Sequence, residues 1–167
     1  TNIINPDVTI ITNISMDHTA FLGDSLDKIA KEKAGIIKSG IPVITTSQED
    51  AAMEEIKKKS FGSGCPFYEY GKDFQTHIKT QSVNGIVFDY KGDSLLSDLT
   101  IPLTSTLQTE NIACAIKAYE ILLLMKGLTL KGKKNIVANA LSNLAPPART
   151  ELTTYKGMKM LFRRQAL

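Results

Sequence analysis

The residues best suited to chemistry are a histidine and a lysine that lie fifteen residues apart near the start of the sequence. His18 follows Asp17 just after an apolar run, and Lys33 lies within a predicted helix. A histidine in this position either has a structural role or ligates a metal. A lysine on an apolar helix face must extend to solvent, find a buried partner or be chemically altered, because burial of an unpaired ammonium is costly.

The predicted helix from Asp24 to Ile37 positions Lys33. Carboxylates at Asp24 and Asp27 suit its N-terminus, and Gly40 lies where a C-terminal cap is expected. At about 100° per residue, one side of this helix forms an apolar stripe, which consists of Leu26, Ile29, Ala30 and Ile37. Lys33 lies in the middle of that stripe, so we predict that it is largely buried beside His18.

The run Val8–Ile14 precedes His18 and predicts a strand. It is apolar and β-branched and follows an Asn-Pro-Asp turn sequence, a pattern typical of a buried parallel strand. His18 therefore falls just past the carboxyl end of that strand. Ligands of open α/β sheets bind at this edge. Because we predict that Lys33 lies beside His18, we expect Lys33 at the same edge.

The next segments alternate between strand and helix. Ile41–Thr46 predicts a strand and Glu49–Ser60 an amphipathic helix, and this β-α-β-α order predicts a parallel sheet. Further along, two β-rich runs meet at an Asn-Gly turn and predict a hairpin that extends the main sheet. The later predicted elements are a third strand at Ser97–Leu103, a helix opening at Leu107, a helix at Asn135–Leu144 and a strand at Met158–Phe162.

Composition excludes several classes of protein. The 167 residues carry a formal charge of +3 and are 43% hydrophobic, which is ordinary for one globular domain. The basic excess is small and dispersed, so we expect no nucleic acid partner. The most apolar segment, Ile121–Met125, is too short to span a bilayer, and no signal peptide is visible. Cys65 and Cys114 lack metal-site spacing and suit a reducing compartment, so we expect a soluble, cytoplasmic protein.

Three segments resemble the central ATPase domain of the folylpolyglutamate synthase and dihydrofolate synthase family, within the Mur ligase superfamily. They are Thr1–Ile4, Asp17–Asp24 and Ile29–Lys38. Mur ligases proper share the Asp-His pair and a lysine but usually lack the Glu-Lys-Ala-Gly-Ile run found at residues 32–36. The resemblance therefore favours the folate branch.

This resemblance implies roles for four residues. In the family, the histidine that matches His18 ligates a magnesium ion bound with ATP, and the lysine that matches Lys33 is carbamoylated. A carbamate turns a cation into an anion that supports magnesium, which prefers oxygen ligands. Asn111 matches an asparagine that contacts ATP near adenine, and Arg149 matches an arginine that contacts the phosphates, whose geometry a guanidinium suits.

The resemblance also implies an architecture. It predicts an α/β fold with a mostly parallel sheet flanked by helices, like the P-loop NTPase-like central domain of Mur ligases, with an antiparallel β-hairpin extension. Residues 1–145 would be the later portion of that domain, and 146–167 an interdomain linker and the start of a C-terminal domain. The Gly-x-x-x-x-Gly-Lys-Ser/Thr phosphate loop does not occur in these residues. We therefore expect part of a longer enzyme that is inactive as this fragment alone.

The implied activity is ATP-dependent ligation of L-glutamate to a folate or to dihydropteroate, by a protein that is a monomer when full length. Its partners would be these small molecules, ATP and magnesium. Two alternatives stay open. One is a peptidoglycan-type Mur ligase with the same reaction and another substrate, and the other is a truncated, non-catalytic domain with a structural or interaction role.

Overall fold

The structure is a computed structural model that describes residues 4–16 and 25–144, together with the backbone of residues 151–155 and 158–162. His18, Asp24 and Arg149 lie outside the described residues, so the roles predicted for them remain predictions. In the described part of the chain, no helix is both long and apolar enough to cross a bilayer.

A parallel sheet of three strands forms the first layer. β1 (Thr9–Ile11) pairs with β2 (Val43–Thr45), and β2 pairs with β3 (Phe67–Glu69). All three residues of β2 are buried, as expected for a strand covered on both faces. The strands predicted at Val8–Ile14 and Ile41–Thr46 are confirmed in shorter form, and the parallel sheet and α/β class are confirmed as well.

Two helices cover this sheet. α1 (Leu26–Lys33) continues into a 3-10 turn at Ala34–Ile36, and α2 (Asp50–Gly62) confirms the helix predicted at Glu49–Ser60. Their apolar faces share one core with β1 and β2. That core includes Ile11, Ile14, Ile29, Ala30, Ala34, Ile37, Val43, Ala52 and Ile56.

The predicted burial of Lys33 is wrong. α1 ends at Lys33, four residues before the predicted end at Ile37, and the Lys33 side chain is exposed. Beyond it the chain tightens into the 3-10 turn, so Ala34 and Ile37 fill the core, at 1% and 3% exposure. A cation in the last turn of a helix is favoured by the helix dipole, which gives Lys33 an ordinary stabilising role there.

A second sheet is antiparallel. It consists of β4 (Gln75–Ser82), β5 (Gly85–Lys91) and β6 (Leu95–Ile101), which confirms the predicted hairpin and its third strand. These strands form a sheet of their own. Within the described residues, only an isolated bridge between Tyr70 and Phe74 continues from β3 toward β4.

The remaining described elements are two helices and a hairpin. α3 (Leu107–Met125) and α4 (Lys134–Ser142) correspond to the two later predicted helices. β7 (Glu151–Tyr155) pairs antiparallel with β8 (Met158–Phe162), the strand predicted there. α3 packs on the antiparallel sheet in a second core, whose fully buried members include Phe74, Phe88, Tyr90, Leu99 and Ile101.

Candidate functional site

The carboxyl edge of the parallel sheet brings together the loops that follow β1 and β2. Beyond the last strand pair, the Thr46 N–H donates to the Ile11 carbonyl at 3.3 Å, and the Tyr70 N–H donates to the Thr45 carbonyl at 3.0 Å. The three strands therefore end in register. In open α/β sheets this edge is where ligands bind.

Gln48 joins the loop after β2 to the loop after β1. Its Oε1 accepts a hydrogen bond from the Ile14 N–H at 2.9 Å, and its Nε2 donates to the Thr12 carbonyl at 3.0 Å. Nε2 also lies 3.0 Å from Thr45 Oγ1 and 3.4 Å from Thr46 Oγ1. The Gln48 side chain thereby holds the backbone at Ile14, which is four residues before His18 in the sequence.

The start of α3 docks on the same loop. Glu110 Oε2 accepts a hydrogen bond from the Ser47 N–H at 3.2 Å, and Asn13 Nδ2 lies 3.4 Å from the Ser47 carbonyl. On the other side of this turn, the Thr109 hydroxyl donates to the Thr106 carbonyl at 2.7 Å. These bonds hold the N-terminal end of α3 at the carboxyl edge of the sheet.

Asn111 follows Glu110 directly and is half-buried. Among the described residues its side-chain amide has no hydrogen-bond partner. A carboxamide has two donor hydrogens and an acceptor oxygen, so Asn111 has its full capacity available for a ligand. Its place at the docked end of α3 fits the predicted contact with a nucleotide base.

The structure does not join Lys33 to Asn111 by any contact in the described residues. Lys33 ends α1, and five residues later the Lys38 carbonyl accepts a hydrogen bond from Cys65 Sγ at 3.1 Å. Cys65 precedes β3, so the chain after Lys33 runs to the edge where β3 begins. Asn111 lies instead beside the edge where the strands end.

The described residues contain no group of three or more His, Cys, Asp or Glu side chains arranged to hold a metal. Magnesium prefers several oxygen ligands. The described donor set therefore does not by itself fit a magnesium site, and the expected ligand His18 lies outside it.

A buried ionic cluster lies away from this edge, where α3 packs on β5 and the turn after it. Lys117 and Glu120 are 1% and 4% exposed. Lys117 Nζ donates to Asp93 Oδ2 at 2.8 Å, and Glu120 accepts hydrogen bonds from the Tyr90 hydroxyl and the Ser94 N–H, both at 2.8 Å. Burial, together with the negative charge of Glu120, raises the pKa of Tyr90 far above its usual range.

Sequence patterns did not identify Gln48, Glu110 or the Lys117 cluster. Gln48 and Glu110 act through bonds to residues that are 34 to 63 positions away in the chain. Lys117 and Glu120 carried a local signal, since they lie three residues apart on a largely apolar helix. A lysine on an apolar helix face, the pattern that predicts burial of Lys33, also predicts burial of Lys117, and Lys117 is the one of the two that is buried.

Comparisons with known proteins agree with this architecture. The profile of the Mur ligase middle domain matches residues 1–119. Folylpolyglutamate synthase of Lacticaseibacillus casei is 35% identical over 122 residues, which cover 72% of this chain and 28% of that protein. The dihydrofolate synthase/folylpolyglutamate synthase of Bacillus subtilis is 33% identical over 121 residues, with the same two coverages. This chain therefore spans less than a third of the length of these relatives.

A solved structure described as an FPGS-AMPPCP-folate complex is also similar. It matches with a TM-score of 0.84 and 32% identity, covering 92% of this chain and 37% of that one. The folylpolyglutamate synthase resemblance is thus confirmed by sequence and by fold. Because the middle-domain profile covers most of the sequence and the sheet, helices and docked α3 follow the same fold, the chain belongs to the Mur ligase middle domain family.

Proposed function

We propose that this chain is part of an ATP-dependent ligase that joins L-glutamate to a folate or to dihydropteroate. The observation that carries the proposal is the similarity in fold, over nearly the whole chain, to a folylpolyglutamate synthase complex that holds AMPPCP and folate. ATP, the acceptor and L-glutamate are then the partners. We also propose that the full-length protein is a monomer and that it is located in the cytoplasm.

The base of the nucleotide would be held by Asn111. A carboxamide can pair with the amino group and a ring nitrogen of adenine at the same time, because it presents a donor and an acceptor side by side. The free amide of Asn111 and the anchoring of α3 through Glu110 support this role. Arg149 would bind the phosphates, since its guanidinium can form two parallel hydrogen bonds with phosphate oxygens.

His18 would be the magnesium ligand, and carbamoylated Lys33 would support the metal site. When bound, magnesium would neutralise the negative charge that moves between phosphate oxygens during phosphoryl transfer. The exposed Lys33 side chain is open to CO2: the neutral amine nitrogen attacks the carbon, and the adduct releases a proton to solvent to give a carbamate anion. The described donors do not form a metal site. The steps of the proposed ligation are therefore written without the metal.

The proposed reaction has two displacement steps. A carboxylate oxygen of the acceptor attacks the γ-phosphorus of ATP, and ADP leaves with the electrons of the broken P–O bond. The amino nitrogen of glutamate then attacks the acyl carbon, phosphate leaves, and the nitrogen loses a proton to give the amide. In such reactions most of the catalysis comes from positioning and charge stabilisation.

The division of the chain is part of the proposal. Residues 1–145 would be the later portion of the ATPase domain, and residues 146–167 the linker and the start of a C-terminal domain. The chain contains no phosphate loop. The 167 residues alone are therefore expected to show no ligase activity, and activity is to be measured on the full-length gene product.

The test is a panel of acceptors incubated with ATP and L-glutamate, with the products identified by mass spectrometry. A tetrahydrofolate, dihydropteroate and a nucleotide-sugar peptide are supplied separately. The proposal predicts one added glutamate on one or both pteridine acceptors and stoichiometric release of ADP. A product formed only on the nucleotide-sugar peptide would contradict the proposed activity. Ligation of glutamate by the 167-residue chain alone would contradict the expected inactivity of this portion.

A further inference from the structure

The outer edge of β1 is open in the part of the chain that the structure describes. β1 pairs with β2 on one side only and is the first strand in the order β1-β2-β3. The Thr9 N–H donates to the Pro42 carbonyl at 2.8 Å, and the Ile11 carbonyl accepts from the Thr46 N–H, so both residues bond toward β2. Because the backbone groups of successive strand residues point to opposite sides, the N–H and carbonyl of Ile10 face the open edge.

The sequence at this edge has none of the features that protect a natural edge strand. Exposed edges usually carry charged side chains, a proline or a bulge, which prevent pairing with another strand. The run Val8–Ile14 contains no charge and no proline, and the ladder between β1 and β2 has no register shift. The run is instead mostly β-branched, which is typical of an interior strand of a parallel sheet.

The other edge strands differ from β1 in this respect. β4, at one edge of the antiparallel sheet, carries Lys79 and has a register shift in its ladder with β5. β6, at the other edge, carries Asp98, whose φ is 56°. β3 follows Pro66 and ends at Glu69, which is ion-paired with two lysines. Of the strands whose side chains the structure describes, β1 alone has an open edge with none of these features.

Two side chains of β1 also lack the surroundings of a complete sheet. Thr9 is 3% exposed, yet its Oγ1 has no hydrogen-bond partner among the described residues. A buried hydroxyl is normally bonded, because leaving it unpaired costs free energy. On the opposite face, Ile10 is 38% exposed, whereas its register partner Ile44 on β2 is fully buried. A further strand beside β1 would account for both observations, since it would cover Ile10 and offer a partner to the Thr9 hydroxyl.

We propose that β1 is an interior strand in the full-length protein, and that its open edge binds a further uncharged strand of the same polypeptide. The chain spans less than a third of the length of its relatives, so a full-length product of similar size has sequence to supply that strand. A second copy fits the edge less well. Two copies related by a twofold axis would pair their β1 strands antiparallel, over three residues of an otherwise parallel sheet. The inference does not depend on the ligase reaction.

Hydrogen–deuterium exchange of the full-length gene product tests this inference, with single residues resolved by fragmentation in the mass spectrometer. An amide that faces water at a sheet edge exchanges quickly, while a paired amide is protected. We expect the Ile10 amide to exchange about a hundredfold more slowly than an unstructured one, and at a rate close to that of Thr9, which is bonded to Pro42. Alternate amides of β4 are the control, since they should exchange freely at that charged edge.

Three results of the exchange experiment would overturn the inference. Fast exchange at Ile10 beside slow exchange at Thr9 would show that β1 is an edge strand in the whole protein as well. Protection of Ile10 only at concentrations where sedimentation shows a dimer would show that the partner is a second copy. Equal protection of Ile10 and of every amide of β4 would refute the argument from edge chemistry.

A substitution at the same residue gives a second readout. With the edge open, a lysine at the half-exposed position of Ile10 would reach water, but a neighbouring strand would force its ammonium into apolar contact. Ile10→Lys should therefore lower the melting temperature of the full-length protein by several degrees. Leu95→Lys is the matched control and should leave it unchanged, because Leu95 is an exposed aliphatic residue on the edge strand β6.

An Ile10→Lys variant that melts with the parent would overturn the inference. If that variant does not fold, the exchange of the Ile10 amide in the parent decides the question. A full-length product that ligates no glutamate but protects Ile10 would overturn the proposed reaction and leave this inference supported.

Discussion

Glu110 Oε2 lies 3.2 Å from the Ser47 backbone nitrogen and accepts its hydrogen bond across 63 positions of sequence. This contact fastens the start of α3 to the carboxyl end of β2. Asn111, the proposed adenine-binding residue, is the next residue along the helix. The position of a side chain suited to a nucleotide base is thus tied to the parallel sheet through its neighbour.

Replacing Glu110 should test that connection. In Glu110→Ala the Ser47 N–H loses its partner, so we expect the free energy of unfolding to fall by about 1 kcal/mol. The control is Glu54→Ala on α2, because Glu54 is exposed and has no hydrogen-bond partner in the described part of the chain. Its effect should stay within about 0.5 kcal/mol. Equal denaturant midpoints for the two variants would contradict the structural role of Glu110.

The Lys117–Glu120 pair predicts strong non-additivity. Glu120→Leu removes the acceptor for Tyr90 and Ser94 and leaves Lys117 buried with Asp93 as its remaining carboxylate. We expect a loss of about 3 kcal/mol. Adding Lys117→Met to this variant should recover part of that loss, because it removes a buried ammonium that has only the more exposed Asp93 carboxylate as its ion-pair partner. Denaturant unfolding that shows the two losses simply adding would contradict this account of the cluster.

Two glycines should respond in opposite directions to alanine. Gly85 has φ 138°, and a Cβ there would meet the Ile101 carbonyl oxygen. Gly85→Ala should therefore destabilise the protein by more than about 1 kcal/mol. Gly62, the last residue of α2, has open space around its Cα, so Gly62→Ala should stabilise by up to about 1 kcal/mol. Thermal unfolding measures both, and a Gly85→Ala variant as stable as the parent would show that the β5 assignment is wrong.

The pH dependence of stability should include a contribution from Glu69. Burial raises the pKa of this carboxyl, but ion pairs with Lys57 and Lys72, at 2.7 and 2.8 Å, outweigh it and hold the pKa below its usual value. A lowered pKa in the folded state gives stability that is present above the unfolded pKa and is lost as pH falls through the folded one.

Glu69→Gln should accordingly lower the free energy of unfolding at about pH 7 and lower it less at about pH 3, because the parent carboxyl takes up a proton as pH falls through its folded pKa. Glu54→Gln is the control at both pH values. A Glu69→Gln variant that is equally destabilised at both would show that the ion pairs are not the cause.

The elements of the fold were largely predictable because their signals are local. The apolar run before His18, the amphipathic pattern of α2 and the Asn-Gly turn between β4 and β5 each depend on a few neighbouring residues. The end of α1 was not predictable in this way. The apolar stripe continues to Ile37, but the chain changes to a 3-10 turn at Ala34, and Lys33 is exposed as a result.

The site was predictable only in part. The resemblance to the family identified Asn111, and among the described residues its side-chain amide has no hydrogen-bond partner. The hydrogen bonds that hold the start of its helix, however, join residues far apart in sequence. Gln48 illustrates the limit, since a single glutamine in a loop has no local pattern. Its importance depends on the backbone groups of Thr12 and Ile14, which only the folded sheet edge brings within 3 Å of its side chain.

The most direct test of the central claim is to follow a heavy oxygen isotope from the acceptor carboxylate during ligation by the full-length gene product. An acyl phosphate route breaks the C–O bond of that carboxylate when glutamate attacks, so one labelled oxygen leaves with the phosphate. We expect inorganic phosphate that carries one heavy oxygen for every amide formed. Amide formation with unlabelled phosphate, or no ATP-dependent glutamate ligation at all, would contradict it.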